Sequence, residues 1–285
     1  MRFKAKQKDI LIFLLTTIIV LFIFFTWQNN SITINKISFK NDAIPDSFNG
    51  YKILQISDLH NKEFGTNQDK ILAQIEKINP DIIVVTGDLI DSNHTNIDTA
   101  MDLINGAIDI APIFYISGNH EAWSGSYSDL KTKLENSGVT VLDNEKIQVF
   151  NNNDSIDIIG LSDPSFINSD LLEYSGNTET KNLLSTLTKN SDNFKILLSH
   201  RPELFNIYSN SNVNLVFSGH AHGGQFRLPF IGGLIAPDQG FLPKLTEGIH
   251  TNNSTSMFIS RGLGNSIIPI RIFNRPELVV VTLSK

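Results

Sequence analysis

Residues 81–88 read Asp-Ile-Ile-Val-Val-Thr-Gly-Asp, an apolar run that stops at a glycine and a carboxylate. The run is short and rich in β-branched residues. It therefore predicts a fully buried strand from Asp81 to Thr86 rather than a piece of helix. The pattern recurs on either side. Tyr51 to Ser57 runs into Asp58-Leu59-His60, and Ile113 to Ser117 into Gly118-Asn119-His120. Phe194 to Leu198 runs into Ser199-His200, and Val213 to Phe217 into Gly219-His220-Ala221-His222. Helical spacing of apolar residues falls between them, near 67–78, 96–108, 126–137 and 178–190. Strands alternating with helices predict βαβ units in a largely parallel sheet, an α/β fold. Shorter strands near 139–150, 156–161, 257–260 and 278–283 predict a second sheet.

The polar residues at the strand ends carry the chemistry. Ligand sites in open α/β sheets lie at the carboxyl ends of the strands, so these side chains converge by topology. Seven histidines occur in the chain. Five of them, His60, His120, His200, His220 and His222, belong to this set. A single histidine is commonly a satisfied core residue; five at strand ends are not explained that way. Histidine, aspartate and one asparagine amide, without sulfur, suit Mn, Fe or Zn in mixed nitrogen and oxygen coordination. The set exceeds what one ion with an open position takes. It suits two divalent ions about 3.5–4 Å apart sharing a carboxylate, an arrangement used for in-line displacement at phosphorus.

Composition agrees with an exported or anchored enzyme. The chain has 285 residues, 41% hydrophobic and 18% charged, enough for one large core. A net charge of −6 argues against specific or non-specific nucleic-acid binding. The absence of cysteine excludes disulfides, thiolate metal sites and cysteine nucleophiles.

The N-terminus sets the compartment. Arg2, Lys4, Lys6 and Lys8 precede an apolar run from Ile10 to Phe25, extended to Trp27 as an interfacial anchor. Eighteen residues span roughly 27 Å as a helix, near the lower limit for a bilayer. The basic side is expected in the cytoplasm and the C-terminal domain outside. A cleaved signal peptide is the rival, but residues 26–30 offer no small-residue cleavage pattern. The expected organisation is a basic N-terminus at 1–9, a transmembrane anchor at 10–27, a spacer at 28–50 whose alternating stretch Ile32-Thr33-Ile34-Asn35-Lys36-Ile37 reads as a short strand or spacer, and a catalytic domain at 51–285.

The ordered series Asp58-Leu59-His60, Gly87-Asp88, Gly118-Asn119-His120-Glu121, Ser199-His200 and Gly219-His220-Ala221-His222 resembles the calcineurin-like metallophosphoesterases. Each piece is weak alone and the series is specific. The likeness continues through Gly223-Gly224-Gln225 and Arg261-Gly262-Leu263-Gly264, as in the membrane-associated YkuE/YaeI-type subgroup. The resemblance implies a four-layer α/β/β/α sandwich and a phosphoester hydrolase, expected to be a phosphodiesterase. It implies that Asp58, His60 and His222 hold one metal, that Asn119, His200 and His220 hold the other, and that Asp88 bridges them. It further implies attack by a bridging hydroxide, with His120 as general acid or charge stabiliser at the leaving group.

Other residues are open to two readings. Asp91 orients the catalytic histidine in some members of the family; otherwise it is a loop or capping carboxylate. Ser92 stands where the family's protein phosphatases carry arginine, which argues against that subgroup. Arg201 and Arg261 are candidate phosphate contacts, or structural ion pairs. Glu121 reads as a hydrogen-bonding partner of the site rather than a ligand. His94 and His250 read as surface residues. The apolar, Gly/Pro-rich segment from Phe226 to Leu242 reads either as a lip for a lipid-bearing substrate or as packing on the second sheet, the latter slightly favoured. A UDP-2,3-diacylglucosamine-type pyrophosphatase is an alternative, in conflict with the expected orientation. A catalytically inert metal-binding scaffold would have lost ligands or His120, and all are present. Two-metal amide hydrolases use similar ligands but lack this ordered series.

Overall fold

The computed structural model describes residues 2–167, 172–266 and 269–285. The elements run α1 (Arg2–Asn30), β1 (Thr33–Lys40), β2 (Lys52–Ile56), α2 (Asp69–Ile78), β3 (Ile82–Thr86), α3 (Ile97–Ile108) and β4 (Ile113–Ile116). Next come α4 (Asn119–Ser124), α5 (Tyr127–Asn136), β5 (Thr140–Val141), β6 (Glu145–Asn151), β7 (Asp154–Gly160), α6 (Leu172–Leu187) and β8 (Phe194–Leu198). They are followed by α7 (Phe205–Tyr208), β9 (Leu215–Ser218) and four two-residue strands, β10 (Arg227–Leu228), β11 (Gly232–Gly233), β12 (Ile235–Ala236) and β13 (Gly240–Phe241). The chain closes with β14 (Gly248–Asn252), β15 (Thr255–Ile259) and β16 (Glu277–Ser284).

Two six-stranded sheets form, in the orders β1-β16-β2-β3-β4-β5 and β14-β15-β9-β8-β7-β6. The strands that end in candidate ligands are parallel within each sheet. Alternation along them builds three apolar layers. Ile82 and Val84 of β3 and Ile196 and Leu198 of β8 face each other between the sheets. Ile83 and Val85 instead pack beneath α2 and α3, with Ile71, Ile75, Leu103 and Ile104. Leu197 and Val216 pack with Leu184 of α6 and with Phe205 and Tyr208 of α7. This is the four-layer α/β/β/α sandwich. Strands buried on both faces need continuous apolar runs, which is why they were readable as such.

Of the two readings of residues 28–50 the strand is the one that forms, whereas the favoured reading of Phe226 to Leu242 changes. β1 pairs in parallel with β16 along its whole length, Thr33 opposite Glu277 through Lys40 opposite Ser284, and so edges the first sheet. The segment Phe226 to Leu242 is not packed core: Leu228, Phe230, Ile231, Ile235, Phe241 and Leu242 are exposed, and Ala236 is buried. Glycine-rich two-residue strands make a small ribbon with no second apolar layer to cover it.

α1 is, among the described residues, the one helix long and apolar enough to cross a membrane. Its apolar residues from Ile10 to Ile23 lie exposed, as a lipid-facing helix requires.

Candidate active site

The loops after β2, β3, β4, β8 and β9 bring Asp58, His60, Asp88, Asn119, His120, His200, His220 and His222 together in a buried cluster. Backbone strain marks the same place. Asp58, His60, Asp88, His220 and His222 all hold positive φ, between 46° and 64°. Non-glycine residues there cost of order 1 kcal/mol each and persist where the surroundings over-determine them. Gly87 and Gly118 show why the motifs need glycine. A Cβ on Gly87, at φ 87°, would lie 2.6 Å from Gly118 N; one on Gly118 would lie 2.3 Å from Asp88 Oδ1.

Two groups of donor atoms meet at Asp88. The ligand atoms of Asp58, His60, Asp88 and His222 lie within 4.8 Å of one another, as do those of Asp88, His200 and His220. Asp88 Oδ2 is 3.5 Å from His60 Nε2 and 3.2 Å from His200 Nε2. His60 Nε2 and His222 Nε2 face each other at 3.1 Å, and Asp58 Oδ1 is 3.4 Å from His222 Nε2. Asn119 Oδ1 is 3.1 Å from His200 Nε2.

The donor set fits divalent metal. The Thr86 carbonyl can only accept, so at 2.7 Å it fixes the proton of His200 on Nδ1. Nε2 of His200 then faces Asn119 Oδ1 and Asp88 Oδ2, so in the neutral ring three acceptors meet and the position takes either a proton or a metal cation. A cation between them resolves that repulsion, and the carbonyl-held histidine is the usual orientation of a metal ligand. Electrostatics agree. Burial lowers the His200 imidazole, but Asp88 outweighs it and raises it to about 10, so this position calls for positive charge. Burial and the nearby Arg201 lower His220 to about 4, and burial with His60 holds His222 well below its usual value. Both are therefore neutral and able to coordinate. Burial raises Asp58, whereas His200 holds Asp88 well below the carboxylate range against its burial.

Around this cluster the structure assigns supporting contacts. Glu121 accepts the backbone N–H groups of Asp88 (2.8 Å), Leu89 (2.7 Å), Ile90 (3.3 Å) and Gly118 (2.7 Å), so it ties the β3 and β4 loops together. His120 stands edge-on to His60, with ring centroids 4.5 Å apart, and its backbone N–H donates to Asp88 Oδ1. Asp91 Oδ2 lies 3.5 Å from both His60 Nδ1 and His120 Nδ1. Its other oxygen accepts the N–H groups of Asn93 and His94, so it is a turn carboxylate as well. His94 is exposed, and His250 is half-buried with Nε2 on the Glu247 carbonyl.

The two arginines are not free for phosphate. Arg201 pairs with Asp163 through Nε (2.6 Å) and Nη2 (3.0 Å), and also with Asp238. Arg261 Nε bonds Glu277 at 2.6 Å and lies 3.5 Å from Glu247. A buried guanidinium such as Arg201 needs such counter-charges, and the half-buried Arg261 is ion-paired as well. Sequence reading missed Asp238, whose Oδ2 lies 2.9 Å from His220 Nε2. In Pro237-Asp238-Gln239-Gly240 it reads as an ordinary turn. It also missed Trp123, an exposed indole 5.4 Å from the His120 ring, though an aromatic two residues past Glu121 was a visible signal.

A four-layer sandwich with buried histidines and carboxylates gathered at its strand ends defines a metal-dependent hydrolase. The chain belongs to the calcineurin-like phosphoesterase family, which it matches over residues 51–224. It is 34% identical over 253 residues to the metallophosphoesterase YkuE of Bacillus subtilis, covering 86% of this chain and 82% of YkuE. It is 26% identical over 251 residues to the phosphodiesterase YaeI of Escherichia coli, covering 86% and 84%. A transmembrane protein with a metallophosphoesterase domain from Danio rerio is 26% identical over 250 residues, 86% of this chain and 55% of that one. Membership implies a phosphoester substrate and divalent metal.

Proposed function

We propose that the chain is a membrane-anchored phosphodiesterase with two divalent ions, Mn, Fe or Zn, acting outside the cytoplasm. The observation that carries the reading is that Asp88 belongs to both groups of ligand atoms. In this assignment Asp58, His60 and His222 would hold one ion, Asn119, His200 and His220 the other, and Asp88 would serve both. Ions held there supply Lewis-acid polarisation of the phosphoryl group and a lowered pKa for the attacking water.

The chain's own residues do the rest. The Ser92 N–H donates to His120 Nδ1 at 3.1 Å, which leaves the neutral ring's proton on Nε2. From there the neutral ring donates a hydrogen bond that stabilises the charge developing on the departing oxygen, and outright proton transfer requires its imidazolium form. Asp91, 3.5 Å from Nδ1, and the tilted Trp123 ring, 5.4 Å away, flank the imidazole. Glu121 keeps the Asp88 loop fixed, and the sheet buries the cluster so that its charges act in a low dielectric.

A lipid-linked phosphodiester is the preferred substrate class. The exposed apolar ribbon rises directly from the ligand turn, with Arg227 Nη1 on the Gly223 carbonyl at 2.8 Å and the Leu234 N–H on the Gly224 carbonyl at 3.2 Å. An acyl chain leaving the metals would meet Leu228 and Ile231 rather than water. The test is hydrolysis of chromogenic mono- and diesters by the full chain in detergent, before and after chelation and reloading with each metal. Diester hydrolysis that is lost on chelation and restored by metal is expected. Hydrolysis indifferent to chelation would overturn the reading.

A further inference from the structure

The apolar ribbon and the membrane helix meet at one place. Phe24, in the last turn of the apolar run, contacts Phe273 edge-on with ring centroids 5.7 Å apart. Arg275 lies over the Trp27 ring at 4.7 Å. Asn29 Oδ1 accepts from the Arg271 N–H at 3.0 Å and from Asn265 Nδ2 at 3.3 Å, and Lys62 Nζ donates to the Asn29 carbonyl. The end of α1 is therefore seated on the domain and not joined by a loose tether.

That seat fixes depth. If Phe24 lies inside the bilayer, its ring partner Phe273 lies at the same level. Phe273 and the ribbon residues Leu228, Phe230 and Ile231 line one groove. The ribbon is held to the Phe273 segment through the Arg227 N–H on the Ile272 carbonyl at 3.0 Å. Phe230 is fully exposed and Phe273 half-exposed. Both hold positive φ, 70° and 50°, a conformation that is an outlier for bulky residues. Beyond the edge-on contact of Phe273 with Phe24, these two strained aromatics turn outward beside the membrane helix, and water is a poor neighbour for them. Arg275, over the Trp27 ring, adds positive charge beside the end of the helix, where anionic headgroups sit.

We propose that Leu228, Phe230, Ile231 and Phe273 insert into the headgroup–acyl boundary of the membrane that α1 crosses. This rests on the reading of α1 as a membrane span. The domain then has two attachment points, and the turn His222–Gly224 that carries the ribbon is held close to the headgroup layer. The occupant is the bilayer itself, chosen because the surface is continuous with the lipid-facing helix. A soluble partner has no such continuity.

The absence of cysteine makes the test clean. Phe13→Cys, Phe230→Cys, Phe273→Cys and Phe150→Cys are each introduced into the full chain, labelled with a small fluorophore and placed in phosphatidylcholine–phosphatidylglycerol vesicles. Lipids brominated on the acyl chain quench from the membrane side, and iodide from water. All four side chains are exposed, so folding should survive; Ile231→Cys is the substitute if Phe230→Cys does not express. Labels at 13, 230 and 273 should lose at least half their emission to brominated lipid. The label at 150, on the far sheet edge, should respond to iodide alone. If position 13 is quenched by lipid while 230 and 273 follow 150, the docking is wrong and the anchor stands. If position 13 also follows 150, the anchor reading fails and the docking with it. Labels at 230 and 273 shielded from both quenchers would mean that protein covers this surface, which also overturns the proposal.

Discussion

The backbone N–H of Ser92 donates to Nδ1 of His120 across 3.1 Å. A backbone amide cannot accept, so this contact selects the tautomer with the proton on Nε2, the side open to the site. In that tautomer His120 is a donor at Nε2. His120→Asn should cut turnover by roughly 10²–10⁴-fold while metal content stays near normal. The loss should be smaller for a nitrophenolate leaving group than for an alkoxide. Equal losses on both would show that His120 acts elsewhere.

Glu121 supports the site through four backbone N–H groups. Burial pushes its carboxyl up to about 7, yet those amides keep its oxygens occupied as acceptors. Glu121→Ala would strand four buried donors at about 1–3 kcal/mol each, with partial relief from water entering the cavity. A loss of at least about 3 kcal/mol in unfolding free energy is expected. A thermal melt close to that of the unsubstituted chain would contradict it.

The Asp163–Arg201 pair predicts a pH dependence. Burial raises the Asp163 carboxyl, but Arg201 outweighs it and the net direction is down. A group whose folded pKa is depressed contributes stability above its unfolded value, near 3.9, and that contribution is lost as pH falls through the folded value. Asp163→Asn should therefore melt lower at neutral pH, and the gap should close below about pH 4. A gap that is constant from neutral to acid pH would mean that the ion pair is not its source.

The expected topology is tested by a reporter active only outside the cytoplasm, fused after Lys285. Activity, with the chain retained in the membrane fraction at full length, is the expected result. Activity of a cytoplasmic reporter in its place would reverse the orientation. It would also favour a lipid pyrophosphatase working on the inner face.

Much of the fold was legible because its central strands are buried on both faces. Ile82–Val85 is apolar without interruption and Phe194–Leu198 is broken only by Lys195, and each run ends where chemistry begins. The edges were less legible. β1 alternates weakly and pairs with β16, more than 240 residues away, a contact that no local pattern announces. The site divides in the same way. Its histidines stand in a recognisable order, but the partners of Arg201 and Arg261 come from Asp163, Asp238, Glu247 and Glu277, which carry no motif. A free arginine beside a histidine reads as a phosphate contact until its counter-charges are seen. The segment from Phe226 to Leu242 was legible as apolar and not as exposed, because hydropathy does not say whether a second layer covers it.

The central claim is that Asp88 joins two metal positions. Metal analysis of the purified full chain and of Asp88→Asn, with diester hydrolysis on the same samples, tests it directly. Two ions per chain are expected in the unsubstituted protein. Asp88→Asn should hold less than one and lose nearly all turnover, since an amide oxygen offers neither the charge nor the second donor that a shared carboxylate does. An Asp88→Asn chain that keeps two ions and normal turnover would contradict the account.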